Sequence, residues 1–316
     1  MRGTLFGLVN VDRTTAVKSF YNQYVNKETR FIAGLILLTA LLGGVLMFIN
    51  AITTHFSGCF YLPVRWAILS PCILGLTLFG LYARTLSPKL AFFTRSYGTY
   101  FFILVAFAIL VSGIQYTPFA TIDAHLIQWD QYLGFNTPAL MHWTAVHPII
   151  QKLFESFYEF LNIEMVLIPL LLGVFKNHRM VDRFFITILI AFLIGTLIYY
   201  FFPTSSPVSM FHSPYFLSGE HATYLKFYQI HHYQTLTSAS GGLISFPSFH
   251  VIWAILLSYA LFEKKWVFIP VAIINVFVIL STVFLGWHYL VDVFAGIVLA
   301  ILSIWITHRI YAKHFV

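Results

Sequence analysis

The chain has 316 residues, of which 59% are hydrophobic and only 9% charged. A soluble globular domain carries about a quarter charged residues, so this balance excludes an ordinary aqueous fold and makes the bilayer the solvent. The net charge of +7 does not point to nucleic acid, because the basic residues form no single patch and lie between apolar runs.

Residues 1–30 hold scattered charges and no compact apolar core, so they read as a cytoplasmic N-terminal segment rather than a cleaved signal. Eight apolar segments follow, near 31–52, 66–83, 99–115, 150–175, 184–202, 249–262, 266–287 and 289–308. The expected fold is therefore an all-α, polytopic membrane helical bundle of about 8 transmembrane helices. The sixth segment is short for a full crossing, and almost nothing separates the last two. Cys59, in a predicted loop, and Cys72, in a predicted helix, are too few for a disulfide framework and read as free thiols. The 116–149 segment mixes Asp123, Trp129, Asp130 and Trp143 and reads as interfacial structure on the membrane surface. Glu155, Tyr158, Glu159 and Asn162 open the fourth span at i, i+3, i+4 and i+7, one polar face. They either bind hydroxyls of an acceptor such as a polyol headgroup or bond to other polar groups inside the bundle.

Orientation follows from Lys and Arg in alternate loops. With the N-terminus inside, one side collects Arg2, Arg13, Lys18, Lys27, Arg30, Arg84, Lys89, Arg95, Lys176, Arg179, Arg183, Lys264, Lys265, Arg309 and Lys313. That is fifteen of the 18 basic residues, against Arg65, Lys152 and Lys226 on the other. Both termini are expected in the cytoplasm, with segments 53–65, 116–149 and 203–248 facing outward.

Two stretches carry chemistry. In Phe246-Pro247-Ser248-Phe249-His250, proline and serine start the sixth helix and place His250 in its first turn. There, exposed backbone N–H groups and the helix dipole favour an anion. In Ser281-Thr282-Val283-Phe284-Leu285-Gly286-Trp287-His288-Tyr289-Leu290-Val291-Asp292, His288 and Asp292 stand at i and i+4, on one face of a helix. A carboxylate beside an imidazole fixes its tautomer, and ionisable groups in membrane segments are functional candidates. The topology brings His250, His288 and Asp292 to one outer depth.

These residues resemble the phosphatidic-acid-phosphatase type 2 superfamily of membrane lipid phosphatases and phosphotransferases. Ser248, Phe249 and His250 match its Ser-x-His motif, with Phe249 where glycine is usual. Ser281, His288 and Asp292 match the third motif at its spacing, with Thr282 where arginine is expected. Phe-Pro-Ser-Phe-His and His-Tyr-Leu-Val-Asp look like the inositol phosphorylceramide synthase-like branch. The resemblance implies a six-helix core in 84–316 and two added helices in 31–83. It implies His288 as the nucleophile that carries a phosphohistidine, Asp292 orienting it, and His250 as general acid and base. Ser248, Ser281 and Thr282 would contact the phosphoryl oxygens. The first motif's interval is met by Lys176 and Arg183, but both lie on the cytoplasmic side and read as anchors. Lys226, whose loop leads into the serine–histidine motif, is the preferred substitute cation. The partners implied are a membrane lipid phosphate and a water or alcohol headgroup acceptor, without metal or cofactor.

His212, His221, His231 and His232 in the 203–248 segment show no closed metal-site spacing. Other readings are a simple lipid phosphate phosphatase, an isoprenoid diphosphate phosphatase, a haem- or quinone-linked oxidoreductase, a transporter, and a non-catalytic lipid-binding protein. The sequence does not fix the oligomeric state.

Overall fold

The computed structural model describes residues 26–53, scattered positions between 71 and 82, and 87–315 apart from 176, 238–241 and 243. Most of the predicted 66–83 span lies outside these residues, as do Cys59, Cys72, Arg65, Arg84 and Lys176.

The described residues form helices and no strands. In chain order they are α1 (Lys27–Thr53), α2 (Pro88–Ile114), α3 (Asp123–Tyr132), α4 (Thr137–Ala145), α5 (Pro148–Phe175), α6 (His178–Phe201), α7 (Ser218–His231), α8 (Phe249–Ala260), α9 (Lys265–Phe284) and α10 (Leu290–His314), with a 3-10 turn at Pro207–Ser209. Six of them, α1, α2, α5, α6, α9 and α10, are long and apolar enough to cross a bilayer. The sixth predicted span is a helix of only 12 residues, α8.

The core lies where α2, α6, α8 and α10 meet. Phe107 stacks on Phe192 at 3.6 Å between ring centroids, and Phe192 meets Phe249 edge-on. Leu110, Leu189, Ala254, Leu257 and Ala300 are fully enclosed nearby. Leu41, Phe48, Val298, Ile301 and Trp305 instead stand outward, more than half exposed, on helices of spanning length. In water such bands would drive aggregation; in hydrocarbon they face a matching solvent, while the helices satisfy their own backbone groups.

One end of the bundle gathers charge. Arg183 Nη1 lies 3.5 Å from Glu263 Oε1, Asn177 Nδ2 donates to Glu263 Oε2 at 2.9 Å, and Lys265 sits over the Phe262 ring. Glu263 follows the C-terminus of α8, whereas Ser248 and His250 stand at its N-terminus. Arg183 is therefore at the far end of α8 from His250, about 18 Å away along a 12-residue helix.

The segments between α2 and α5 and between α6 and α8 are not loose loops. The first folds into α3 and α4. Trp129 and Trp143 are exposed there as expected, but Asp123 and Asp130 are 1% and 3% exposed and point inward. The spacing of Asp123, Leu126 and Asp130 puts all three on one buried face of α3. The second segment forms α7, which carries buried Glu220 and Lys226.

Candidate functional site

Ser248 caps α8: its hydroxyl accepts from Val251 N at 3.4 Å, and its own N–H donates to Asp292 O at 3.1 Å. The second bond ties the start of α8 to the start of α10. It brings the His250 and His288 rings to 5.7 Å between centroids at 62°. His250 also stacks on Tyr158 at 4.4 Å, and Tyr158 on Trp287 at 4.8 Å.

The expected His288–Asp292 pair is present, by a different route. α9 ends at Phe284 and α10 begins at Leu290, so His288 lies in the turn between them and not on a helix face. Gly286 makes that turn with φ +89, where a side chain would strain the backbone. A Cβ there would also run into Met141 of α4. Asp292 occupies the third position of α10 and accepts from Tyr289 N at 3.0 Å, a helix-capping bond. The same Oδ2 lies 3.3 Å from His288 Nδ1, and Ser245 Oγ reaches both Asp292 Oδ2, at 3.4 Å, and His288 Nδ1, at 3.5 Å. With Nδ1 engaged, Nε2 is the nitrogen left for chemistry. Asp292 Oδ1 is buried without a partner among the described residues.

α3 fixes this turn from above. Asp130 accepts from Leu290 N at 2.9 Å and Val291 N at 3.0 Å, two of the N–H groups a helix start leaves unpaired. Asp123 accepts from Tyr289 OH at 3.0 Å and from the amide and hydroxyl of Ser205, each at 3.0 Å. Burial pushes both carboxyls above the usual range, and these hydrogen bonds pull them back down. Sequence reading placed these acids in surface structure; the signal that could have found them was their i, i+7 spacing with Leu126 between.

Tyr158, Ser205, Thr223, Ser245, His250 and His288 are among the residues lining a small cavity of about 50 Å³. Not every expected site residue reaches it. Ser281 and Thr282 are fully buried, and their hydroxyls donate to Val278 O at 2.6 Å and Ile279 O at 2.7 Å of their own helix. Thr282 touches the motif through its backbone instead: its carbonyl accepts from His288 N at 3.1 Å. Lys226 is 2% exposed on α7, the helix whose Thr223 and Phe227 line the cavity, but it is not itself in the lining. Burial lowers its pKa to about 8 and raises that of Glu220 to about 8. His231 and His232 set Nδ1 against carbonyls of their own helix, at 3.0 and 2.8 Å. Among the described residues no three His, Cys, Asp or Glu side chains come together as a metal site would need.

A bundle of apolar helices enclosing a polar, histidine-lined cavity at one end is the architecture of an integral membrane protein with a site for a polar group. The chain matches the PAP2 superfamily over residues 124–306, more than half of its length, and belongs to that superfamily of membrane phosphatases. No curated protein and no solved structure matches it.

Proposed function

We propose that this protein is a lipid phosphotransferase of the inositol phosphorylceramide synthase-like branch, working through a phosphohistidine on His288. The observation that carries the reading is the His288–Asp292–Ser245 cluster, which occupies Nδ1 of a ring that lies 5.7 Å from the His250 ring in one cavity and so reserves Nε2 for attack. Nε2 attacks phosphorus and the bond to the lipid oxygen breaks. His250 gives its proton to that leaving oxygen. Water or an alcohol then attacks phosphorus, His250 takes its proton, and the N–P bond breaks. The Phe249 and His250 amides at the start of α8, where a helix leaves N–H groups without intrahelical partners, meet the phosphoryl oxygens. Ser248 supports them as the cap of that turn; Ser281 and Thr282 act by holding the backbone of the His288 turn.

Several observations support the rest of the reading. Residues 84–316 form the catalytic region and 31–83 an added pair of helices, since α1 contributes nothing to the lining of the histidine cavity. Arg183 lies at the opposite end of α8 from His250, which agrees with an extracytoplasmic site and cytoplasmic termini. Transfer rather than hydrolysis is favoured by a second polar cavity beside the first, lined by Glu155, Tyr158, Glu159 and Trp287. The test is to incubate the purified protein in proteoliposomes with radiolabelled lipid phosphates, with and without alcohol acceptors. A labelled lipid-to-alcohol product supports transfer, release of phosphate alone gives a phosphatase, and acid-labile, base-stable label on wild type but not on His288→Ala supports the phosphohistidine.

A further inference from the structure

A second site stands at the other end of the bundle from the histidines. α1, α2 and α6 enclose a cavity of about 350 Å³, inside the roughly 300–1,000 Å³ range of small-molecule pockets. α6 rises roughly 28 Å between Asp182 and Phe201, beyond which Ser205 lines the histidine cavity, so a group held at Asp182 is remote from His288. The walls change character along their length. Ile36, Leu37 and Ala40 of α1 face Phe102 and Phe185 across an apolar slot that runs toward the middle of the spans. Arg95, Ser96 and Thr99 of α2 and Asp182 of α6 line the end nearer the starts of those helices.

Two of these polar groups are buried without protein partners. Ser96 is 3% exposed, and its hydroxyl oxygen makes no hydrogen bond among the described residues. Asp182 is 5% exposed, and no described residue ion-pairs or hydrogen-bonds with its carboxylate, although Arg95 is near enough for its charge to be felt there. A carboxylate inside a spanning helix is costly to leave unanswered. Both groups line a cavity and not a packed interface, so the missing partner is one that enters from outside the chain.

Charge narrows what that partner is. A fatty acid or an anionic phospholipid sets its own charge against Asp182, and a neutral diacylglycerol leaves the carboxylate without a cation. A choline headgroup brings the cation, but its methyl groups offer no N–H to Asp182 or to the Ser96 oxygen. A primary ammonium has three donors, enough for Asp182 and the hydroxyl oxygens of Ser96 and Thr99, and a phosphate attached to it suits the guanidinium of Arg95. We propose that the groove binds a phospholipid with a primary ammonium headgroup, of the phosphatidylethanolamine kind, with an acyl chain in the slot against α1. Bound there, the lipid ties α1 to α2 and α6 as part of the fold and not as substrate. The inference is independent of the phosphotransfer reading; only the leaflet, cytoplasmic on the orientation proposed above, is shared with it.

The test uses full-length protein in detergent micelles. Native mass spectrometry with added phosphatidylethanolamine, phosphatidylcholine, phosphatidylglycerol or diacylglycerol is run on wild type, Asp182→Asn, Ala33→Phe and the control Glu263→Gln. Asp182→Asn removes the charge that the ammonium meets and keeps the size of the side chain. Ala33→Phe fills the groove from α1 and leaves its polar end intact. Glu263→Gln removes an acid that pairs with Arg183, outside the groove. The expected result is saturable binding of one phosphatidylethanolamine, about ten-fold tighter than the other lipids, weakened about ten-fold by either groove variant and unchanged in the control. The same lipid is expected to raise the melting temperature of wild type and not of Ala33→Phe. Equal binding of the choline lipid, preference for the glycerol lipid or diacylglycerol, or ethanolamine-lipid binding indifferent to both groove variants overturns the proposal. So does a dimer that Ala33→Phe dissociates, since a second chain then fills the groove. If Asp182→Asn does not fold, the headgroup ranking on wild type and the Ala33→Phe result still decide. Selective ethanolamine-lipid binding by a protein that turns over no lipid phosphate would leave the proposal standing and sink the catalytic reading.

Discussion

His288 Nδ1 faces Asp292 and Ser245, so the imidazole is held as one tautomer and in one orientation. On the proposed mechanism His288→Ala abolishes release of phosphate or headgroup while the protein still inserts, and full activity in that variant would sink it. Asp292→Asn keeps the shape of the pair but loses its charge; a fall of about 10⁴-fold in kcat is expected, on the scale of other carboxylate–imidazole pairs. A second residue-scale prediction concerns stability. Glu220, raised to about 8 by burial, keeps its proton in the folded protein at neutral pH but releases it near 4.5 when unfolded. The folded state binds the extra proton between those values, so stability falls as pH rises from about 4.5 through 8. Thermal melting at pH 5 and pH 8 should show wild type losing stability, at up to about 1.4 kcal/mol per pH unit, and Glu220→Gln losing much less.

At the scale of elements, α3 is the part of the site's support that the sequence hid. Its two aspartates hold the backbone of Leu290 and Val291 and the Tyr289 hydroxyl. Each charged hydrogen bond contributes on the order of 1.5–3 kcal/mol. Asp130→Asn and Asp123→Asn should lower kcat about 10–100-fold with KM nearly unchanged, because the turn drifts while the cavity lining remains. A larger effect on KM than on kcat would place them elsewhere. Much of the fold was legible beforehand: apolar run length marked α1, α2, α5, α6, α9 and α10, Pro247 and Ser248 marked the start of α8, and the i, i+4 interval of His288 and Asp292 marked their contact. What composition concealed was short and amphipathic. α3, α4 and α7 are too short and too polar to register as spans, and the buried aspartates of α3 look like surface charge until their donors, on Ser205 and on Tyr289, Leu290 and Val291, are known. The hydroxyls of Ser281 and Thr282 misled for the opposite reason, since spacing gives a residue's place on the chain but not which carbonyl its side chain prefers.

At the scale of the whole molecule, α1 packs on α2 where glycines allow it. A Cβ at Gly43 would sit 2.6 Å from the backbone of Leu110, and one at Gly113 would sit 2.8 Å from Gly43 O. Asn50 Nδ2 donates to Gly113 O at 2.7 Å just beyond. Gly43→Leu should pry the helices apart at a cost of about 1–3 kcal/mol, seen as a lower melting temperature. Since α1 lines no part of the histidine cavity, kcat should stay within about three-fold; a collapse of activity would join 31–83 to the catalytic region.

The brevity of α8 sets how far the chemistry lies from bulk water. Twelve residues rise about 18 Å, against about 30 Å of hydrocarbon. A helix that starts with its far end among the charges of Arg183, Glu263 and Lys264 runs out roughly 12 Å before its neighbours reach the opposite interface. On the proposed orientation, His250 would lie below the outer interface, with α3, α4 and α7 walling the space above it. On the proposed lipid chemistry, the phosphate would have to sink below its usual headgroup level to react, and the access of water to that depth would set the competition between hydrolysis and transfer before any side chain takes part.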